Sequence, residues 1–171
     1  MKHLRFDENE KTMKRILCEL LKDSSKSDRE LAKHLGVSQP TVSRLRNRLV
    51  EEGLIRHFSV TPDLSALGFE IIAITSFASK HSDDIAEKAR KWTMARPNVL
   101  FAARAEGTGK NAVMVSLHKN YTDYHNFMSE VKNEGRDIVT DYETMLVSLG
   151  GLVIKPFSLK YIAEILEKVT D

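Results

Sequence analysis

Apolar residues recur at helical spacing from the start of the chain. In "DENEKTMKRILCELLKDS", Met13, Ile16, Leu17, Leu20 and Leu21 share one face and charges occupy the rest, which predicts a first helix ending near Asp23. "SSKS" breaks the pattern. Ser27 followed by Glu30 is a capping box, so a short second helix is expected there, with Leu31 and Leu35 inward and Gly36 closing it. Ser38 can cap a third helix, with Pro40 in the first turn, where a missing N–H does no harm. At about 100° per residue, Val42, Leu45 and Leu49 fall on one face of that helix. Pro40, Ser43, Arg44, Asn47 and Glu51 fall on the opposite face, flanked by Gln39, Arg46 and Arg48. After Gly53, Leu54, Arg56, Phe58 and Val60 alternate with Ile55, His57 and Ser59, which predicts a strand or a short hairpin wing.

The pattern changes after "PDLSALGF" (62–69), which reads as a connection. "EIIAITSFA" (70–78) is strand-like. Residues 82–96 predict a helix capped by Ser82, with Asp83 and Asp84 at its positive end and Ile85, Ala89 and Trp92 on one face; Pro97 stops it. Strands are expected over 99–106 and 112–118, joined by the turn "GTGKN". A helix over 122–134 places Tyr124, Phe127, Met128 and Val131 inward, and a fourth strand covers 138–149. The order is βαββαβ, the split arrangement of ferredoxin-like domains. Both helices would cover one face of the sheet, and the other face is apolar enough to call for dimerisation. In the tail, Leu159, Ile162, Ile165 or Leu166, and Val169 form an apolar stripe. They predict a terminal helix from about Ser158 that packs on the sheet or joins subunits.

The expected fold is therefore α+β. An N-terminal three-helix winged helix-turn-helix (1–62) and a linker (63–69) precede a βαββαβ ferredoxin-like dimerisation and effector domain (70–150) and a C-terminal extension (151–171). Composition fits this: of 171 residues, 42% are hydrophobic and 29% charged, which disfavours disorder. The net charge of +2 hides an asymmetry. Residues 1–62 hold 13 Lys and Arg against 9 Asp and Glu, while the remainder is slightly acidic, which suggests two modules with different partners. The single cysteine, Cys18, excludes an internal disulfide framework and is expected to be packed. No apolar run predicts a membrane helix, and the opening residues are not those of a signal peptide, so a cytoplasmic location is expected.

Short helix, glycine turn, serine cap and basic helix follow the helix-turn-helix grammar. The spacing of Asp28, Ala32, Gly36, Val42 and Leu45 lets two such helices cross closely. A basic helix face alone is more often merely solvated; the full constellation is what points to double-stranded DNA. Gln39, Thr41, Ser43, Arg44 and Asn47 are the base-reading candidates, with Arg44 suited to guanine and Asn47 to adenine. Ser38, Arg46, Arg48 and Arg56 are the phosphate candidates. "EGTGKNA" (106–112) only resembles a phosphate-binding loop. Arg104 stands where that pattern needs a glycine, and Asn111 follows the lysine instead of Ser or Thr. The histidines at 3, 34, 57, 81, 118 and 125 show no metal-ligand spacing, and neither a metal nor a cofactor is expected.

On "DRELAKHLGVSQPTVSRLRNRLVEEGLIR", "PDLSALGF" and the βαββαβ pattern that follows, the chain resembles the leucine-responsive and asparagine-synthase regulator family, Lrp/AsnC, over roughly residues 7–149. The resemblance implies a DNA-binding transcription regulator that dimerises through its second half, can assemble into octamers and can take a small-molecule effector between subunits. It also implies a sensor loop, here Gly107, Thr108, Gly109, Lys110 and Asn111. Lys110 stands where the family usually carries an Asp. An Asp or Asn would receive a ligand amino group, whereas a Lys would repel it and favour an anion, so the effector is not clearly an amino acid.

Two competing functions fit the same architecture. An architectural protein would bind DNA through its backbone with weak sequence preference. Siroheme decarboxylases are similar in architecture and are enzymes; they would need His and Arg lining a large cavity, for which His118, His125 and Arg104 are the only candidates. The well-formed basic helix favours a regulator over that enzyme.

Overall fold

The structure, a computed structural model, describes residues 8–80 and 82–168. Its elements are α1 (Glu8–Lys22), α2 (Asp28–Leu35), α3 (Gln39–Glu51), β1 (Ile71–Ser79), α4 (Asp83–Met94), β2 (Val99–Gly107), β3 (Lys110–His118), α5 (Tyr121–Glu134), β4 (Val139–Ser148) and α6 (Lys160–Lys168). They form two compact units. The first runs to Thr61 and takes in the chain again from Lys155; the second is Pro62–Ile154. Among the described residues, no helix is long and apolar enough to cross a membrane.

In the first unit Ile16, Leu31, Val42, Leu45 and Leu49 are essentially inaccessible and pack together with Met13, Leu20, Leu35 and Ile55. Local chemistry sets the breaks. Ser27 Oγ accepts from Glu30 N–H while Glu30 reaches back to Ser27 N–H at 2.8 Å, the reciprocal cap expected. Gly36 ends α2 at φ +71°, a conformation in which a Cβ is strained even though open space surrounds it. Glu19 lies under this helix group. Burial pushes its carboxyl up, but hydrogen bonds from Lys26 (2.6 Å) and Lys22 (3.2 Å) outweigh that and hold it below the ordinary range.

One expectation for this unit fails. Residues 55–63 carry no strand, so the wing is a single extended strap: its alternation has no antiparallel partner to pair with. The terminal helix forms as expected, as α6, with Leu166 of its apolar stripe half-buried. It lies on α1, with Ala163 fully buried and its carbonyl 3.9 Å from Cys18 Sγ, while Leu159, Ile162 and Ile165 stay exposed. A methyl side chain permits the close approach to α1 that a leucine or isoleucine would block. Lys22 and Glu167 close the contact at 2.6 Å. Val169 of the stripe, and His3 and His81, lie outside the described residues.

The second unit is a four-stranded antiparallel sheet in the order β2-β3-β1-β4, with α4 and α5 on one face. Phe77, Met114, Phe127, Met128 and Val131 make its core. The α4 expectation holds only in part. Ile85 and Trp92 are half-buried, Ala89 is exposed, and no residue of α4 is buried. This helix lies against the edge strand β2, where there is less sheet to cover it. Trp92 packs on Phe127 at 5.7 Å and donates Nε1–H to Glu134 at 2.7 Å.

The opposite sheet face carries neither helix. Register aligns Phe101, Val115, Ile74 and Met145 in one row across all four strands. Phe101 is 55% exposed and Met145 68%. The neighbouring row is Leu117, Ile72 and Val147. Rows of this kind are the apolar face that the sequence pattern required.

Candidate nucleic-acid interface

α3 owes its exposed face to what it buries. With Val42, Leu45 and Leu49 fixed in the core, the 3.6-residue period turns Gln39, Arg44 and Asn47 outward, with Ser43 and Thr41 half-buried beside them. Ser38 starts the helix: its hydroxyl accepts from Thr41 N–H at 3.3 Å and shares a 2.8 Å hydrogen bond with Thr41 Oγ1. The Ser38 hydroxyl therefore caps the helix and the Thr41 hydroxyl is tied to it, which leaves only part of their hydrogen-bonding capacity for a ligand.

The arginines divide into two kinds. Arg44 is exposed and donates to Asn9 Oδ1 of α1 at 3.3 Å. Arg48 pairs with Glu52 at 2.6 Å, with both side chains about two-fifths exposed. An exposed i,i+4 pair is worth roughly 0.3–0.5 kcal/mol, so a phosphate can compete for this guanidinium. Arg56 is exposed on the strap. Arg46 differs. It sits about 70° from the middle of the buried stripe and turns inward, bonding Asp28 Oδ1 at 3.0 Å, with both side chains 24% exposed. Its guanidinium also lies 4.8 Å from the centroid of the Phe58 ring. The expected phosphate contact at Arg46 is thus occupied by partners within the fold.

Asn9, Asp28 and Phe58 were not among the site residues expected from the sequence. Asn9 and Asp28 stand 35 and 18 positions from the arginines they hold, separations at which sequence spacing carries no signal. Phe58, an aromatic residue alternating with Arg56, was the one visible hint.

In the second unit, Thr108 (φ +50°) and Gly109 (φ +74°) form a two-residue hairpin between the paired Gly107 and Lys110. Lys110 is only 8% exposed at its side chain, where it meets Asp141 and, at 3.5 Å, Glu143. The hydrogen bond to Asp141 leads the interactions that push its pKa up, so it stays charged. Two carboxylates against one lysine leave no excess positive charge, and the expected preference for an anion does not follow from this arrangement. Asn111 is engaged as well: its Oδ1 accepts from Ser79 N–H (3.0 Å) and Oγ (2.9 Å), and its Nδ2 donates to Ser79 O at 2.7 Å. The Lys110 and Asn111 side chains thus tie the hairpin to β4 and β1.

The three residues an enzyme would need are not equivalent here. Arg104 and His125 are exposed, but His118 is fully buried, with Nε2 2.8 Å from Ser116 Oγ and the ring against Tyr124 and Phe127. Its Nδ1 makes no hydrogen bond and faces Asp123 Oδ2 at 3.8 Å. Burial pushes its pKa below the ordinary value, with the Asp123 charge opposing. Cys18 is buried, and burial leads the causes that raise its thiol pKa, as expected of a packed residue.

Comparison with known proteins agrees with this geometry. A winged helix-turn-helix DNA-binding family model matches residues 9–56. The regulator FL11 of Pyrococcus furiosus is 31% identical over 122 residues, covering 69% of this chain and 76% of that one. The leucine-responsive regulatory protein of Rhizobium meliloti is 32% identical over 87 residues, 48% of this chain, and the match spans only 56% of that relative's length. A transcriptional regulator from Neisseria meningitidis, solved as an L-Met complex, shares the fold with a TM-score of 0.76 at 16% identity, covering 90% of this chain and 94% of that one. With helix-turn-helix, split sheet and relatives in agreement, the chain belongs to the Lrp/AsnC family of leucine-responsive and asparagine-synthase regulators.

Proposed function

We propose that this protein is a sequence-specific, DNA-binding transcription regulator that acts in the cytoplasm as a homodimer or larger assembly, up to an octamer. The observation that carries the reading is the outward face of α3, where Gln39, Ser43, Arg44 and Asn47 lie together above a fully buried stripe. Arg44 suits the two acceptors of guanine, and Asn47 the acceptor and donor of adenine. Arg48 and Arg56 neutralise phosphate on either side. The apolar rows of the open sheet face support pairing of subunits through the second unit. Two α3 helices in such a dimer read half-sites about one helical turn, or a multiple, apart.

An effector is part of this reading. That the Neisseria regulator was solved as an L-Met complex supports a small-molecule effector. In this chain, Lys110 and Asn111 are already engaged within the fold, which favours a ligand other than an amino acid held there by its amino group.

The test is selection of random duplex DNA on the purified protein at near-physiological salt. An enriched inverted repeat is expected. Retention without a motif replaces this reading with an architectural binder, and no retention, with or without candidate effectors, removes it.

A further inference from the structure

The strap after α3 needs an explanation, because nothing pairs with it as a strand. Ile55 anchors its start, 8% exposed and with its N–H on Leu49 O at 2.9 Å. Near its far end Ser24 Oγ donates to Ser59 O at 3.3 Å. Between them lie exposed Arg56 and His57, and then Phe58, half-exposed under the Arg46 guanidinium. Arg46 is itself oriented by Asp28 at the start of α2.

We infer that Asp28, Arg46 and Phe58 form a clasp that positions Arg56, and that Arg46 acts on DNA through the strap and not by touching phosphate. The inference rests on the DNA-binding reading of α3. Its physical basis is entropic: a lone strap samples many conformations, and an arginine carried on it must be ordered before it can hold a phosphate. The clasp orders it in advance. Arg46 is suited to this role because a planar guanidinium can bond a carboxylate and stack on a ring at once, which an ammonium cannot.

The clasp and the direct-contact reading give opposite signs at Asp28. If Arg46 were a phosphate ligand restrained by Asp28, Asp28→Asn would release it, tighten binding and steepen the salt dependence. The clasp requires Asp28→Asn to weaken binding, although it removes a negative charge. Phe58→Leu changes no charge, yet it should lower the slope of log K against log salt by about as much as Arg56→Ala, roughly 0.9 for one phosphate. The Phe58→Leu, Arg56→Ala double variant should then bind no more weakly than Arg56→Ala alone.

The experiment is fluorescence anisotropy of the full chain on its selected duplex at several salt concentrations, with circular dichroism confirming unchanged helix content. Amide hydrogen exchange over residues 54–60 is measured alongside without DNA, and it should rise in Phe58→Leu and Asp28→Asn. A wild-type slope in Phe58→Leu, or tighter binding by Asp28→Asn, overturns the inference. Unchanged exchange in both variants overturns it too, whatever the DNA result. Failure of the parent protein to bind any duplex strikes instead at the function proposed above, and the exchange data still decide whether the clasp exists.

Discussion

Arg44 and Arg48 lie on the same helix and carry the same charge, yet the proposed function gives them different work. Arg44 lies exposed on the outward face, whereas Arg48 lies on its shoulder beside Glu52. Arg44→Ala is expected to cost about 1–3 kcal/mol on the selected site and little on a scrambled duplex. Arg48→Ala should weaken both alike and lower the salt slope by about one. Titrating each variant on both duplexes checks this, and equal losses on the two duplexes for Arg44→Ala would count against base reading. His118 sets a residue-level pH response. Its folded pKa is depressed by burial, so the unfolded chain takes up more protons in acid. The stability tied to the neutral ring is fully present above the unfolded pKa, about 6.5, and is lost as pH falls through the lowered folded value. His118→Gln, which does not titrate, should therefore shrink the fall in urea midpoint of the second unit between pH 7.5 and 5.5. An identical fall in both proteins would remove His118 as its cause.

At the scale of elements, caps and core together decide where α3 points. Ser38 and Gly36 fix where the turn begins and ends, and Val42, Leu45 and Leu49 fix the rotation about the helix axis. The C-terminal helix follows different logic. Ile162 and Ile165 remain exposed and Leu166 is half-buried, while its smallest residue, Ala163, is fully buried against α1. Enlarging that position is therefore expected to matter more than trimming the stripe. Ala163→Leu should destabilise the first unit by about 1–3 kcal/mol through overpacking, whereas Ile165→Ala, at 62% exposure, should change it little. Urea titration followed by far-ultraviolet circular dichroism reads both, and equal effects would mean α6 is not docked through Ala163.

For the whole molecule, the proposed pairing of subunits turns on the open face of the second unit. Its four-strand row ends in Met145, which is 68% exposed in a single chain. Met145→Lys places a charge on the proposed subunit contact and leaves the core of the unit, which does not include Met145, untouched. Sedimentation should show dissociation to monomers, with affinity falling steeply on an inverted repeat and only modestly on a half-site. A variant that still sediments as the parent assembly would place the subunit contact elsewhere.

The sequence alone determined what is local or periodic. The capping box at Ser27 and Glu30, the serine cap at Ser38, the buried stripe of α3 and the βαββαβ order depend on spacings of a few residues, which the chain carries wherever it folds. The tertiary structure decided the partners of long side chains and the faces of marginal elements. Arg46 is drawn to Asp28 and Phe58, and Lys110 to Asp141 and Glu143, by distances in space that no spacing encodes. The wing pattern at 54–60 failed as a strand because alternation specifies a face but cannot supply a neighbouring strand. The terminal helix meets α1 at Ala163, where a small side chain permits close approach, a contact that the apolar spacing of 159–169 does not encode.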